Sequence, residues 1–267
     1  MISGNSRVFV ILGDPVSHSL SPAMQNAAFR ALGISAVYVP LRCRVEDLTA
    51  LMRGIAHAGG GGNVTVPHKE TAARSVDTSR ELVQTVEACN TFWSEDGQTV
   101  GDNTDVPGLL EALHQLQVRQ EPWFIQGTGG GARAAVVAAA QHGVPVAVGS
   151  RDAQRQVEFE GWVGSRGVAL AEPSGCRVLI NSTPLGLNAT DPLPIDLGRF
   201  PHAEIAFDMV YAPSETRWIR SLRPQVRRSA DGRAMLVAQG AAAFERWFPG
   251  KRAPVEVMRA AVNDALR

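Results

Sequence analysis

Along the chain, short apolar runs alternate with stretches whose apolar residues recur every three or four positions. RVFVILG (7–13) is, after its arginine, an apolar run ending in glycine, the pattern of a buried strand. SPAMQNAAFRALG (21–33) follows with a serine cap, a proline in the first turn and a closing glycine, which predict a helix. AVYVPL (36–41) reads as a second strand, VEDLTALMRGIAHAG (45–59) as a helix and GNVTVP (62–67) as a third strand. In TFWSEDGQTVG (91–101) a DG pair separates two β-prone runs, a hairpin signal.

NTDVPGLLEALHQL (103–116) predicts a helix leading out of this first unit. PWFIQGTGGGARAAVVAAAQHG (122–143) is then a strand, a glycine-rich turn and a helix. VPVAVGS (144–150), CRVLINST (176–183) and AEIAFDMVY (203–211) continue the strand series, and two helices, 233–248 and 253–267, close the chain. The alternation predicts an α/β protein with parallel sheets and helices on both faces.

At 267 residues the chain is long enough for two cores rather than one. Lysine plus arginine equals aspartate plus glutamate, 26 against 26, so there is no overall electrostatic footprint for nucleic acid or an anionic membrane. Cys43, Cys89 and Cys176 are far apart and form no CxxC, as expected of inert thiols in a reducing compartment. The six histidines show no HxxxH or HExxH spacing, so no metal is expected. The opening MISGNSRVFVILG lacks the basic flank and long apolar run of a signal peptide, and AAVVAAA (134–140) is too short to span a bilayer. A cytoplasmic protein is expected.

NVTVPHKE (63–70) carries the first candidate chemistry. Pro67 suits the first position of a helix, which puts Lys69 in its first turn. A cation there opposes the helix dipole by roughly 0.3–1 kcal/mol. Such a residue is either part of a site or a surface lysine whose head group reaches water. Asp105, in GDNTD, is equally open between a helix-start carboxylate and a site residue. Ser19, Ser21, Asn63, Thr65, Asn90 and Thr91 place short hydroxyl and amide groups at strand ends, a set that suits a small polyhydroxylated ligand.

Gly127, Gly129, Gly130, Gly131 and Ala132 fit GxGxxA between a strand and a helix, the setting that makes this fingerprint informative for dinucleotides. The next strand ends Gly149-Ser150-Arg151 instead of in an acidic residue. A hydroxyl and a guanidinium suit a 2′-phosphate, hence NADP, while Asp152 beside them keeps NAD possible.

Read together, these motifs resemble the shikimate dehydrogenase family nearly end to end. SHSLSP (17–22) resembles the serine pair that holds the substrate carboxylate, implying that role for Ser19 and Ser21. NVTVPHK (63–69) resembles the lysine motif, which implies Lys69 as catalytic with Asn63 and Thr65 at the substrate. ACNT (88–91) and GDNTD (101–105) imply Asn90 as a substrate contact and Asp105 as catalytic. INSTPLG (180–186) and FDMVY (207–211) are similar to strand ends of the cofactor domain, implying cofactor contacts at Thr183 and Met209 and a substrate contact at Tyr211. DGRAMLVAQGAAAF (231–244) resembles the returning helix, with Gly232 near the cofactor and Gln239 at the substrate. Three departures stand out: Ser150-Arg151-Asp152 replaces an asparagine-arginine-threonine motif, Ala234 a second glycine and Ser17 a glycine.

The resemblance implies two α/β domains around a cleft. Residues 1–102 with 233–267 would bind substrate, and 103–232 would form a Rossmann-type NADP domain. The implied activity is NADPH-dependent reversible reduction of 3-dehydroshikimate to shikimate, a step of aromatic amino-acid biosynthesis, by a monomer or homodimer. The alternatives are a quinate/shikimate or aminoshikimate dehydrogenase using NAD or NADP, and a non-catalytic sensor of a shikimate-like acid.

Overall fold

The computed structural model describes residues 3–267; Met1 and Ile2, where the leader-free reading of the N-terminus begins, lie outside them. The described chain divides into two compact units, one running to Gly108 and resuming at Leu236–Arg267, the other spanning Leu109–Met235.

The first unit begins with β1 (Arg7–Gly13), α1 (Ser21–Ala31), β2 (Ala36–Arg42) and α2 (Leu48–His57), the last preceded by a 3-10 turn at Val45–Asp47. β3 (Gly61–Val64), α3 (Lys69–Ser75), β4 (Thr78–Ser79) and α4 (Glu81–Val86) follow. The hairpin β5 (Thr91–Glu95) and β6 (Gln98–Asp102) leads into α5 (Asp105–Gln115). The strands lie in the order β2-β1-β3-β5-β6-β4. The sheet is mixed: β5 and β6 form the antiparallel hairpin that the DG pair predicts, and β5 also runs antiparallel to β3. Asp96 and Gly97 both take positive φ, 51° and 75°, in the two-residue turn that reverses the chain between β5 and β6.

The chain leaves for the second unit within α5 and forms β7 (Trp123–Gln126), α6 (Gly130–His142), β8 (Val146–Gly149) and α7 (Ala153–Ser165). β9 (Val178–Asn181), β10 (Ile205–Asp208), α8 (Arg217–Leu222) and β11 (Arg228–Ala230) complete its sheet. It re-enters the first unit within α9 (Arg233–Trp247) and ends with α10 (Val255–Ala265). This second sheet is parallel throughout, in the order β11-β10-β9-β7-β8. β8 and β9 take opposite sides of β7, so the strand order reverses there, the switch point where such folds bind ligands.

β1 shows why its apolar run carries no alternation. Phe9 and Ile11 enter a cluster with Met24 and Phe29 of α1, Phe244 and Trp247 of α9 and Met258 of α10. Val10 and Leu12 point the other way, among Leu48, Met52 and Ala56 of α2. A strand covered on both faces must be apolar at every position. In the second unit Phe124, Leu179 and Ala206 pack on Trp218, Ile219 and Leu222 of α8.

Two helix starts differ from expectation. In α1, Ser21 is the first helical residue and Leu20 the N-cap, with no side-chain cap; the Ser19 hydroxyl accepts the Ser21 N–H at 3.3 Å instead. The third strand ends at Val64, because the chain turns over Thr65–His68, with the His68 N–H donating to the Thr65 carbonyl at 2.9 Å. Pro67, joined through a cis peptide, therefore precedes the N-cap His68, and Lys69 itself opens α3.

The three cysteines are free and buried. Burial pushes the Cys89 thiol up to about 12 and Cys176 to about 11. The Cys89 thiol donates to the Thr91 carbonyl at 3.2 Å.

Candidate active site

Lys69 and Asp105 meet at the starts of two helices. The Lys69 ammonium donates to Asp105 Oδ2 at 2.6 Å, with side chains only 17% and 6% exposed. Asp105 is free for this because Asn103 does the capping: its Oδ1 accepts the N–H groups of Asp105 at 3.0 Å and Val106 at 3.4 Å. The Asn103 amide is itself anchored on the Ala88 carbonyl at 2.8 Å. A carboxylate at the positive end of α5 is favoured, and its charge offsets the unfavourable cation at the start of α3. The helix-start reading of Asp105 thus holds for its position but not for its side chain, which faces Lys69.

Asn90 joins this pair. Its Oδ1 accepts the Thr104 N–H at 2.7 Å, and its amide donates to Asp105 Oδ1 at 2.9 Å and to Gln239 Oε1 at 3.4 Å. The Gln239 amide donates to the Leu236 carbonyl at 2.9 Å. Gly108 permits this arrangement, since a Cβ there would fall 2.7 Å from the Gln239 Cβ. Asn63 extends the group: Oδ1 accepts the Tyr38 hydroxyl at 2.8 Å, and the amide donates to the Asn90 carbonyl at 3.0 Å. Beneath, Asp102 accepts the Asn103 N–H at 2.7 Å and Arg246 Nε at 2.8 Å, tying α9 to the loop before α5.

Hydrogen bonds therefore gather Lys69, Asp105, Asn90, Gln239 and Asn63. Ser19, Ser21 and Thr65 stand outside that chain, the serines at the start of α1 and Thr65 just past β3. Thr91 is structural. Its hydroxyl donates to the Gly62 carbonyl and accepts the Trp247 indole N–H, both at 3.0 Å. Tyr38 and Asn103 escaped the sequence reading, the first hidden as a core strand residue and the second inside a motif whose aspartate drew the attention.

In the second unit Gly127 has φ +120°, and a Cβ on it would lie 2.6 Å from Ser182 Oγ. Gly129, the N-cap of α6, provides no side chain, and a Cβ there would meet nothing within 4 Å. The first N–H groups of α6, from Gly130, Gly131 and Ala132, have no side-chain cap and open onto this space. Ala132 is fully buried. Gly131 and Gly232 both lie against Met209: a Cβ on Gly131 would sit 3.2 Å from Met209 Sδ, and one on Gly232 2.3 Å from its carbonyl oxygen. Such an uncapped helix start behind a glycine turn is suited to an anion.

Beyond β8, the Ser150 Oγ accepts the Asp152 N–H at 3.1 Å, and Asp152 caps α7 by accepting the Arg155 N–H at 3.1 Å. The acidic residue that complicates the nucleotide reading thus has a structural reason, worth about 1 kcal/mol. Arg151 and Arg155 are exposed beside it. Arg155, its Nε 3.9 Å from Asp152 Oδ2, stands on a helix at 153–165 that the sequence pattern does not predict.

Asn181 and Asp208 end β9 and β10. Asn181 Oδ1 accepts the N–H and hydroxyl of Thr183 at 3.0 and 2.7 Å, while its amide donates to Asp208 Oδ1 at 2.8 Å. The other Asp208 oxygen accepts the Thr216 hydroxyl at 2.7 Å. Burial pushes the Asp208 carboxyl up to about 6, against the pull of the Thr216 and Asn181 hydrogen bonds and with help from Asp231. Tyr211, partly buried, follows β10. Among the described residues no group of three or more His, Cys, Asp and Glu is placed to hold a metal ion.

Residues 11–92 match the family model of the shikimate dehydrogenase substrate binding domain, and residues 232–262 that of the shikimate 5′-dehydrogenase C-terminal domain. The chain is 36% identical over 284 residues to the shikimate dehydrogenase (NADP(+)) of Microcystis aeruginosa, covering 98% of each protein. With the enzyme of the same description from Methanosarcina acetivorans the identity is 37% over 284 residues, covering 98% of this chain and 99% of that one. The fold is similar to the crystal structure of shikimate 5-dehydrogenase from Thermus thermophilus in complex with NADP(H) and shikimate. There the TM-score is 0.87 and the identity 32%, covering 97% of this chain and 99% of that one.

Proposed function

Because this chain belongs to the shikimate dehydrogenase family, we propose that it catalyses the NADP-dependent, reversible reduction of 3-dehydroshikimate to shikimate. The observation that carries the reading is the Lys69–Asp105 pair, largely but not wholly buried and backed by Asn90.

Reduction of the ketone adds a hydride to carbon and a proton to oxygen. Bound NADPH supplies the hydride; everything else falls to the protein. The Lys69 ammonium faces the carbonyl oxygen, stabilises the negative charge that grows there and hands over a proton as the alcohol forms. Asp105 holds the lysine head group, so that it stays aimed while its proton leaves and is replaced from solvent. In the oxidative direction the neutral amine takes the hydroxyl proton.

Substrate binding belongs to residues 1–102 with 233–267, and NADP binding to 103–232. Ser19 and Ser21 hold the carboxylate, while Asn63, Thr65, Asn90, Tyr211 and Gln239 meet the ring hydroxyls. The glycine turn fits a dinucleotide, since Gly129 leaves open space before uncapped N–H groups and Gly127 could not be replaced without a collision. Gly127, Gly129, Gly130, Gly131 and Ala132 would hold the pyrophosphate, and Thr183, Met209 and Gly232 the nicotinamide end. Ser150, Arg151 and Arg155 would hold the 2′-phosphate, which favours NADP over NAD. Among the described residues no helix is long and apolar enough to cross a membrane. Free, buried thiols fit a cytoplasmic setting, and we place the enzyme there as a monomer or homodimer.

The test is a spectrophotometric assay with shikimate and with quinate, each against NADP and NAD. The expected result is the highest kcat/KM for shikimate with NADP. A preference for quinate or NAD would replace the assignment with the quinate branch. Binding of shikimate without turnover would make the protein a sensor.

A further inference from the structure

We infer that Tyr38 is a specificity-determining positioning residue, whose hydroxyl fixes the Asn63 amide so that an N–H is what remains for the substrate. The inference deepens the reading above and rests on Asn63 meeting a ring hydroxyl.

The Asn63 amide lies between partners of fixed polarity. The Asn90 carbonyl can only accept, and it already receives the Val64 N–H at 2.9 Å within the sheet. It lies 3.0 Å from the nitrogen of the Asn63 side chain, so the amide must turn its nitrogen that way. The amide oxygen then faces the phenol, which must donate its proton across 2.8 Å. Tyr38 is held to this geometry by burial. It is 1% exposed, and its ring packs on Trp247 with centroids 6.0 Å apart. Asn63 is 5% exposed, in a strand with neighbours on both sides. With one N–H on the Asn90 carbonyl and the oxygen on Tyr38, the second N–H of Asn63 has no partner among the described residues.

That N–H selects for a lone pair. A ring hydroxyl supplies one. A protonated amine in the same place has none and would leave a buried donor unpaired, so Asn63 discriminates hydroxyl from ammonium. The discrimination depends on Tyr38: without the phenol the amide oxygen is unpartnered and becomes an acceptor that an ammonium can use.

The test is Tyr38→Phe, which removes one hydroxyl and keeps the packed ring. The wild type is expected to favour shikimate over at least one of the analogues carrying a single amine in place of a ring hydroxyl, by about 100-fold or more in kcat/KM. In the variant the KM for shikimate rises about tenfold and the preference over that analogue falls by a similar factor, with kcat and the KM for NADP within about twofold. An unchanged shikimate KM and an unchanged preference would overturn the inference. A wild type that neither binds nor turns over shikimate would sink the functional reading instead. The ligand-free protein still answers: the Asn63 side-chain amide signals, located by comparison with Asn63→Ala in a ¹⁵N-labelled sample, must shift in Tyr38→Phe. Signals that stay in place overturn the inference whatever the protein binds.

Discussion

Around Lys69, four side chains meet through hydrogen bonds of 2.6, 2.9 and 3.4 Å, and the groups that orient them are themselves hydrogen-bonded. The turn from Gly127 to Gly129 works the other way. Two of its three residues have no side chain, and what it presents is an uncapped helix start and, at Gly127, a place where a Cβ would collide. The first region is organised by polarity, with each amide turned by a partner that can only donate or only accept. The second is organised by volume. Substitutions should therefore act on chemistry in one and on fit in the other.

Lys69→Ala puts the first half of that contrast at greatest risk. We expect kcat to fall by about 10³-fold, within the range for losing a positioned acid-base group, while NADP affinity stays within about twofold. Steady-state kinetics and a nucleotide titration measure both. A loss below tenfold would mean that the pair does not carry the proton.

Asp208, at the end of β10 in the same unit as the glycine turn, is instead a buried carboxylate held by the side chains of Asn181 and Thr216. Its pKa is raised from 3.8 to about 6, so the folded state holds the proton more tightly than the unfolded chain. Its contribution to stability is greatest below about pH 4 and declines as pH rises to 6, by at most about 3 kcal/mol. Other carboxylates tilt the opposite way, so the quantity to measure is the difference in denaturant stability between wild type and Asp208→Asn. That difference should move in favour of the variant from pH 4 to 6 and then level off. A flat difference would show that Asp208 is ionised throughout.

Gly127→Ala sharpens the volume argument. The added methyl group meets Ser182 Oγ and a φ of +120° that L residues avoid, at a cost of about 1–3 kcal/mol. The KM for NADP should rise roughly tenfold with the KM for shikimate unchanged. Equal rises in both would erase the contrast between the regions.

Legibility in the sequence follows the same division. The long apolar strands and the longer helices show themselves by pattern, as in RVFVILG and in the 13-residue run of α6. β4, β11, α4 and α8 are too short to have a period, and none was drawn. α7 has a longer span, yet Val157 on it is 64% exposed and only Phe159 and Val163 are buried, leaving little stripe to see. The DG pair marked the β5–β6 hairpin without saying how its strands join the rest of the sheet. Within the candidate site, Lys69 was noticed because it breaks a local rule. Tyr38 breaks none, since an aromatic residue in a strand is what a core requires, and its hydroxyl acquires meaning only when β3 is placed near it. Asn103 is similar: an asparagine before a helix is ordinary, and its consequence for Asp105 is visible only in three dimensions.

The buried thiols give the chain a chemical record of its own opening. Burial pushes the Cys89 thiol up to about 12, so it stays protonated at neutral pH, and the sulfur is closed off from reagent as well. Alkylation must then wait for the segment beside Asn90 to part from the sheet, so its rate counts those events. Cys176 lies at the entry to β9 in the other unit and is equally shielded. A single labelling time course, resolved by peptide mass, would clock the two units separately without any added probe.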